Sequence, residues 1–218
     1  RGGLFGDMER LPEEFHDELL LRGPAGRVVD AAAARGLEKR GCSGRQAAWV
    51  DVDGDGLLDL YLVCGRGAGG FWDYVPRWLR PLLGGGQFQD PNQLWRQQAD
   101  GSFVEIAGEL GLDFAAEGTF VWLDVDRDGR PDLLWASEEG IVLWRHAGDR
   151  FTAEPIEPAP RTVTRKLLVA DLDRDGWLDV FAAAALGSRL LHNDGGRLVA
   201  VDPRAWGLPS RLRTGGRS

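Results

Sequence analysis

Twelve aspartates set in three nine-residue frames carry the chemistry of this sequence: DVDGDGLLD from Asp51, DVDRDGRPD from Asp124 and DLDRDGWLD from Asp171. In each frame carboxylates stand at positions 1, 3, 5 and 9 with glycine at position 6, a spacing that lets four oxygen donors converge on one hard cation. The candidate ligands are Asp51, Asp53, Asp55 and Asp59, then Asp124, Asp126, Asp128 and Asp132, then Asp171, Asp173, Asp175 and Asp179. Position 7 is Leu57, Arg130 or Trp177; a loop of this kind needs only a backbone carbonyl there, so the side chain is free to vary. Gly56, Gly129 and Gly176 fall where the chain must turn in a conformation other residues tolerate poorly. One such frame alone reads as an ordinary Asp/Gly turn, whereas three in matching register point to calcium, with three sites per chain.

The frames are not EF-hands, because position 12 is Leu62, Trp135 or Ala182 in place of a bidentate glutamate. Their flanks are wrong for helices as well. Ala48-Trp49-Val50 and Leu60-Tyr61-Leu62-Val63 bracket the first frame, and Leu167-Leu168-Val169 and Val180-Phe181 the third, so each frame reads as strand, loop, strand. Cys42 and Cys64 lie just before and just after the first of these hairpins, as a disulfide across its open end or as two separate thiols. A bridge would speak for an oxidising compartment, as loops of this kind do for calcium outside the cell.

With 218 residues and 43% hydrophobic content the chain can bury one core or a short array of repeats. The formal charge of −8 comes largely from the loop aspartates, which makes nucleic acid an unsuitable partner. No apolar run is long enough to span a bilayer, and the start at Arg1 reads as a processed or excised chain.

Repetition extends beyond the aspartate frames. Leu19–Leu37, Leu94–Leu112 and Leu190–Leu208 share length, apolar offsets and a closing Gly-Leu, and a looser copy follows from Val142. Each reads as a second hairpin with a Gly/Asp turn. A calcium hairpin followed by a second hairpin gives four short strands, the content of one β-propeller blade. The expected fold is therefore all-β, a β-propeller of four-stranded blades with about three and a half blades in this chain. The expected boundaries are a linker over 1–16, a half blade over 17–37, blades near 47–112, 119–158 and 166–209, and a tail over 210–218.

The loops, with the intervening phrase Asn92-Gln93-Leu94-Trp95-Arg96 to Asp100-Gly101-Ser102-Phe103-Val104-Glu105, resemble the FG-GAP/VCBS repeat of integrin-α-type propellers. More particularly, they are similar to the family of secreted proteins related to cartilage acidic protein and the bacterial ASPIC/UnbV proteins. The resemblance covers roughly residues 17–209 and implies a propeller, typically of seven blades, with calcium in the hairpin loops. Three and a half blades leave a ring unfinished, so the chain is either a piece of a longer protein or is completed by a partner copy, a homodimer then making seven blades.

No G-x-S-x-G, H-E-x-x-H or phosphate-binding glycine loop occurs, and His16, His146 and His192 are scattered, with His192 read as part of a hairpin turn. An enzymatic role is not expected. The segment 65–91 interrupts the first blade and carries Trp72, Tyr74, Arg77 and Trp78, residues suited to a protein or carbohydrate ligand or, alternatively, to packing as a lid. The expected function is an extracellular or periplasmic calcium-binding propeller for adhesion or ligand recognition. The alternatives are an accessory propeller of a larger secreted enzyme, or an assembling half-propeller with a purely structural role.

Overall fold

The computed structural model describes residues 18–23, 26–37, 42–65, 90–158, 164–184 and 187–207. The expected linker over 1–16, the tail over 210–218 and the segment carrying Trp72, Tyr74, Arg77 and Trp78 lie outside these residues.

Alternating apolar residues between Gly/Asp turns give fourteen short strands among the described residues. β1 (Leu20–Arg22) and β2 (Val28–Asp30) form a two-stranded sheet. β3 (Ser43–Val50), β4 (Asp59–Gly65), β5 (Gln93–Gln97) and β6 (Phe103–Glu105) form a four-stranded sheet in that order. β7 (Gly118–Leu123), β8 (Asp132–Ser137), β9 (Gly140–His146) and β10 (Phe151–Pro158) form the second. β11 (Thr164–Ala170), β12 (Asp179–Ala184), β13 (Arg189–Asn193) and β14 (Leu198–Val201) form the third. Consecutive strands pair antiparallel, as short connections require. Each aspartate frame links the first and second strands of its sheet.

Burial follows position within the sheet. The second strands are covered on both faces, so Leu133, Leu134, Trp135 and Ala136 of β8 are all buried. Outer strands are only partly covered, and Val104 of β6, Leu168 of β11 and Val199 of β14 face solvent. The described residues divide into two compact units, one centred on β1–β6 and the other on β7–β14. In the first, Ala32, Leu37, Trp95 and Phe103 pack with Leu19, Leu60 and Leu62. In the second, Val125, Leu134, Leu143, Val180, Ala182 and Leu191 belong to one continuous core.

Polar groups that enter the cores are tied down. Buried Asn92 accepts from Cys64 N at 3.1 Å and donates to the Tyr61 hydroxyl at 3.2 Å, joining the residue before β5 to β4; burial pushes the Tyr61 phenol well above its ordinary pKa. Cys42 and Cys64 form a disulfide across the base of the β3–β4 hairpin, which resolves the two readings of those thiols.

The second hairpins end differently from a plain strand pair. After β2, β6 and β14 the chain makes a single helical turn, Ala33–Arg35, α1 (Ala107–Leu110) and Pro203–Trp206. Each turn stops at a left-handed glycine, Gly36, Gly111 and Gly207. The Gly-Leu phrase that marks the repeat in sequence is therefore a helix stop.

The propeller expectation is corrected here. Among the described residues every sheet is open, with two edge strands, and strand pairing joins none of the four to another. No closed ring results, and the likeness to integrin-α-type propellers extends to the repeated unit alone. The adhesion or ligand-recognition reading rests on a propeller and falls with it. The physical reason is that strand alternation and loop spacing report the content of one unit, while closure depends on how many units meet and at what angle.

Candidate metal centre

The three frames fold alike. In the first loop Asp51 accepts from Gly54 N at 2.9 Å and Gly56 N at 3.0 Å. In the second Asp124 accepts from Asp128 N at 3.2 Å and Gly129 N at 3.0 Å. In the third Asp171 accepts from Arg174 N at 2.7 Å and Gly176 N at 3.0 Å. The first aspartate thus closes the loop around itself, and two backbone positions turn left-handed to allow it. Position 6 is glycine in every loop, with φ between 85° and 93°. Position 4 is Gly54 in the first loop but Arg127 and Arg174 in the others, at φ 59° and 66°, a conformation that non-glycine residues adopt at a cost of roughly 1–2 kcal/mol.

The ninth-position aspartate has a second task. Asp59, Asp132 and Asp179 are buried, whereas the loop tips are exposed. Each accepts a backbone N–H from the third strand of its sheet: Gln97 N at 2.8 Å, His146 N at 2.8 Å and Asn193 N at 2.9 Å. Asp132 and Asp179 also accept from position 2 of their own loops, Val125 N at 3.2 Å and Leu172 N at 2.9 Å. One carboxylate thereby fastens the loop to the sheet. Burial raises the pKa of Asp132 above the ordinary carboxylate value, against the pull of its two backbone donors.

Of the ligands expected from sequence, the structure brings Asp51, Asp53 and Asp59 together along the first loop, Asp124, Asp126 and Asp128 in the second, and Asp171, Asp173 and Asp179 in the third. Donor atoms within each group lie within 4.8 Å of one another. Asp55 and Asp132 stand outside the groups of their own loops, and Asp175 joins Asp173 in a separate group with His192. Clusters of this composition can hold a divalent cation, and their carboxylate oxygens suit a hard one.

The loops differ in what opposes the carboxylates. In the second, Arg145 of β9 donates from Nη1 to Asp126 at 2.7 Å and reaches Glu154 and the Gly196 carbonyl, while Arg130 clasps Asp128 at 2.7 Å. The Arg130 hydrogen bond holds the Asp128 carboxyl below the ordinary range. In the third loop, among the described residues, no arginine or lysine pairs with Asp173 or Asp175. At the place of Arg145 stands His192, with Nδ1 3.0 Å from Asp179 Oδ1 and 3.7 Å from Asp173 Oδ2.

Sequence alone reads His192 and Asn193 as parts of one hairpin turn and assigns Arg145 no role. A signal existed: His146 and Asn193 each follow their ninth-position aspartate by fourteen residues, so Arg145 and His192 are equivalent. In the first copy the insertion stretches the corresponding spacing to Gln97 to 38 residues and hides the pattern.

Neighbouring loops of the second unit touch. The Arg127 guanidinium lies 4.2 Å from the centroid of the Trp177 ring, and the Asn193 amide donates to Val125 O at 2.9 Å and Leu178 O at 3.3 Å. Trp177 at position 7 therefore serves packing between the two loops.

The FG-GAP-like repeat matches residues 51–135 and 124–182, two overlapping stretches that begin at the first and second aspartate frames. Cartilage acidic protein 1 of Mus musculus is 34% identical over 100 residues, and that of Homo sapiens 33% identical over 100 residues. Each match covers 42% of this chain and 15% of the relative, so the chain spans a small part of the curated relatives' length. The repeated loop and sheet geometry and the extent of the family match agree, and the chain belongs to the FG-GAP-like repeat family.

Proposed function

We propose that this chain is a structural repeat segment whose open sheets assemble with like sheets, and that calcium bound in the three aspartate loops stiffens them. The segment is non-enzymatic, in keeping with the repeat family to which it belongs. The cation would be held by Asp51, Asp53, Asp55 and Asp59, by Asp124, Asp126, Asp128 and Asp132, and by Asp171, Asp173, Asp175 and Asp179. The carbonyls of Leu57, Arg130 and Trp177 complete the three sets. The observation that carries the reading is the shared use of the ninth aspartate. A cation drawing on Asp59, Asp132 or Asp179 would act on a group that already grips the third strand, so its binding energy becomes stability of the whole sheet.

Assembly is supported by the open sheets and by exposed apolar residues on their outer strands, Trp49, Val104, Leu168 and Val199. The Cys42–Cys64 disulfide and the similarity to cartilage acidic protein 1 support an extracellular or periplasmic setting. Among the described residues no helix is long and apolar enough to cross a membrane. Calorimetric titration of the chelated chain with calcium tests the metal part. Saturable uptake of three ions with a melting temperature raised by several degrees is expected; absence of binding heat together with an unchanged melting temperature would overturn it.

A further inference from the structure

We propose that the third loop, through His192, is a mixed nitrogen and oxygen site that prefers a borderline first-row divalent cation of the Zn²⁺ class to calcium. The inference deepens the reading of these loops as cation sites and separates one of them from the other two.

The argument starts from the donor set. Asp173, Asp175 and His192 place one donor atom each within 4.8 Å of one another, and His192 also faces Asp179. Two donors bound to one ion at about 2.0–2.2 Å stand about 2.8–3.6 Å apart at tetrahedral to octahedral angles. The separations from His192 Nδ1 are 3.0 Å to Asp179 Oδ1 and 3.7 Å to Asp173 Oδ2, so one fits and the other needs only a small adjustment. Calcium takes oxygen donors at longer distances, whereas imidazole suits zinc and its neighbours.

The imidazole comes from β13, outside the loop, and is already placed. Its ring packs on Trp206 with centroids 5.1 Å apart, which restricts its rotation and keeps Nδ1 towards the carboxylates. A metal would replace the proton of the Nδ1 to Asp179 hydrogen bond, with both groups turning from hydrogen-bond partners into co-ligands. The second loop provides the internal contrast. There Arg145 occupies the equivalent place and puts a permanent cation on Asp126, so that among the described residues no nitrogen donor joins that loop's carboxylate group, which is partly neutralised.

The test is competitive calorimetry of the full chain with Zn²⁺ and with Ca²⁺, repeated on His192→Gln and His192→Arg. His192→Arg recreates the arrangement of the second loop, so it guards against a variant that fails to fold. One tight Zn²⁺ per chain, resistant to excess calcium, is expected in the parent, with zinc affinity reduced at least about 100-fold in both variants. Calcium affinity should change less than about threefold in His192→Gln, and calcium at the third loop should weaken in His192→Arg, whose guanidinium would pair with the loop carboxylates as Arg145 does in the second. In Co²⁺-loaded parent, a hyperfine-shifted exchangeable imidazole proton is expected and should vanish in His192→Gln. Equal zinc binding by parent and variants overturns the proposal, as does calcium displacing zinc at equal concentration. Calcium uptake at the first two loops is read in the same titrations, so failure of the general cation reading is distinguishable: no calcium anywhere with zinc still bound through His192 leaves this proposal standing alone.

Discussion

Asn193 is fully buried yet polar, and every arm of its amide is used: Nδ2 donates to Val125 O and Leu178 O, and Oδ1 accepts from Gly196 N at 2.8 Å. Asn193→Ala leaves those groups without partners inside the core, and we expect a loss of about 2–3 kcal/mol, read by denaturant unfolding. Gly129 isolates a different effect. Its φ is +85° and nothing lies within 4 Å of the place a Cβ would occupy, so Gly129→Ala should cost about 1–2 kcal/mol from backbone conformation alone. A thermal melt in chelator measures it apart from any metal. At this scale the sequence was informative where chemistry is local: the aspartates sit within nine residues of one another, so their spacing shows that they converge. His192, Arg145 and Asn193 reach the loops from a third strand, and residue type alone does not reveal that.

The hairpin is the element that couples loop to sheet, and the first one carries an additional clamp. The Cys42–Cys64 disulfide closes a chain segment of 22 residues, for which loop entropy gives about 3 kcal/mol. Cys42→Ser with Cys64→Ser should therefore lower the melting temperature by roughly 6–12 °C, while reductant should lower the parent to the same value and leave the variant unchanged. The second hairpin differs by its guanidinium groups. Calcium there must displace Arg130 and Arg145 from Asp128 and Asp126, so we expect the second loop to load last, seen as one weaker step in the calcium titration. Strand, loop and strand were legible from apolar flanks around Asp/Gly frames. The helical turns ending at Gly36, Gly111 and Gly207 were not, because four residues are too few for a helical period to show against strand alternation.

Across the described residues, three four-stranded sheets repeat one plan, and no strand pairing joins them to one another or to the two-stranded sheet. The repeat period disclosed the plan, since each unit is built from contacts near in sequence. It did not disclose that each sheet stays open, because packing between the sheets of the second unit rests on residues such as Leu134, Val180 and Leu191, which read as core in a ring and in an open array alike. Outer strands bearing Trp49, Val104, Leu168 and Val199 are the surfaces on which like sheets would meet. Native mass spectrometry of the full chain, over a concentration series with calcium and again after chelation, tests this account most directly, because it counts ions and copies together. The account predicts three calcium ions per chain and assemblies that grow with concentration and dissociate on chelation; a metal-free monomer at every concentration would contradict it.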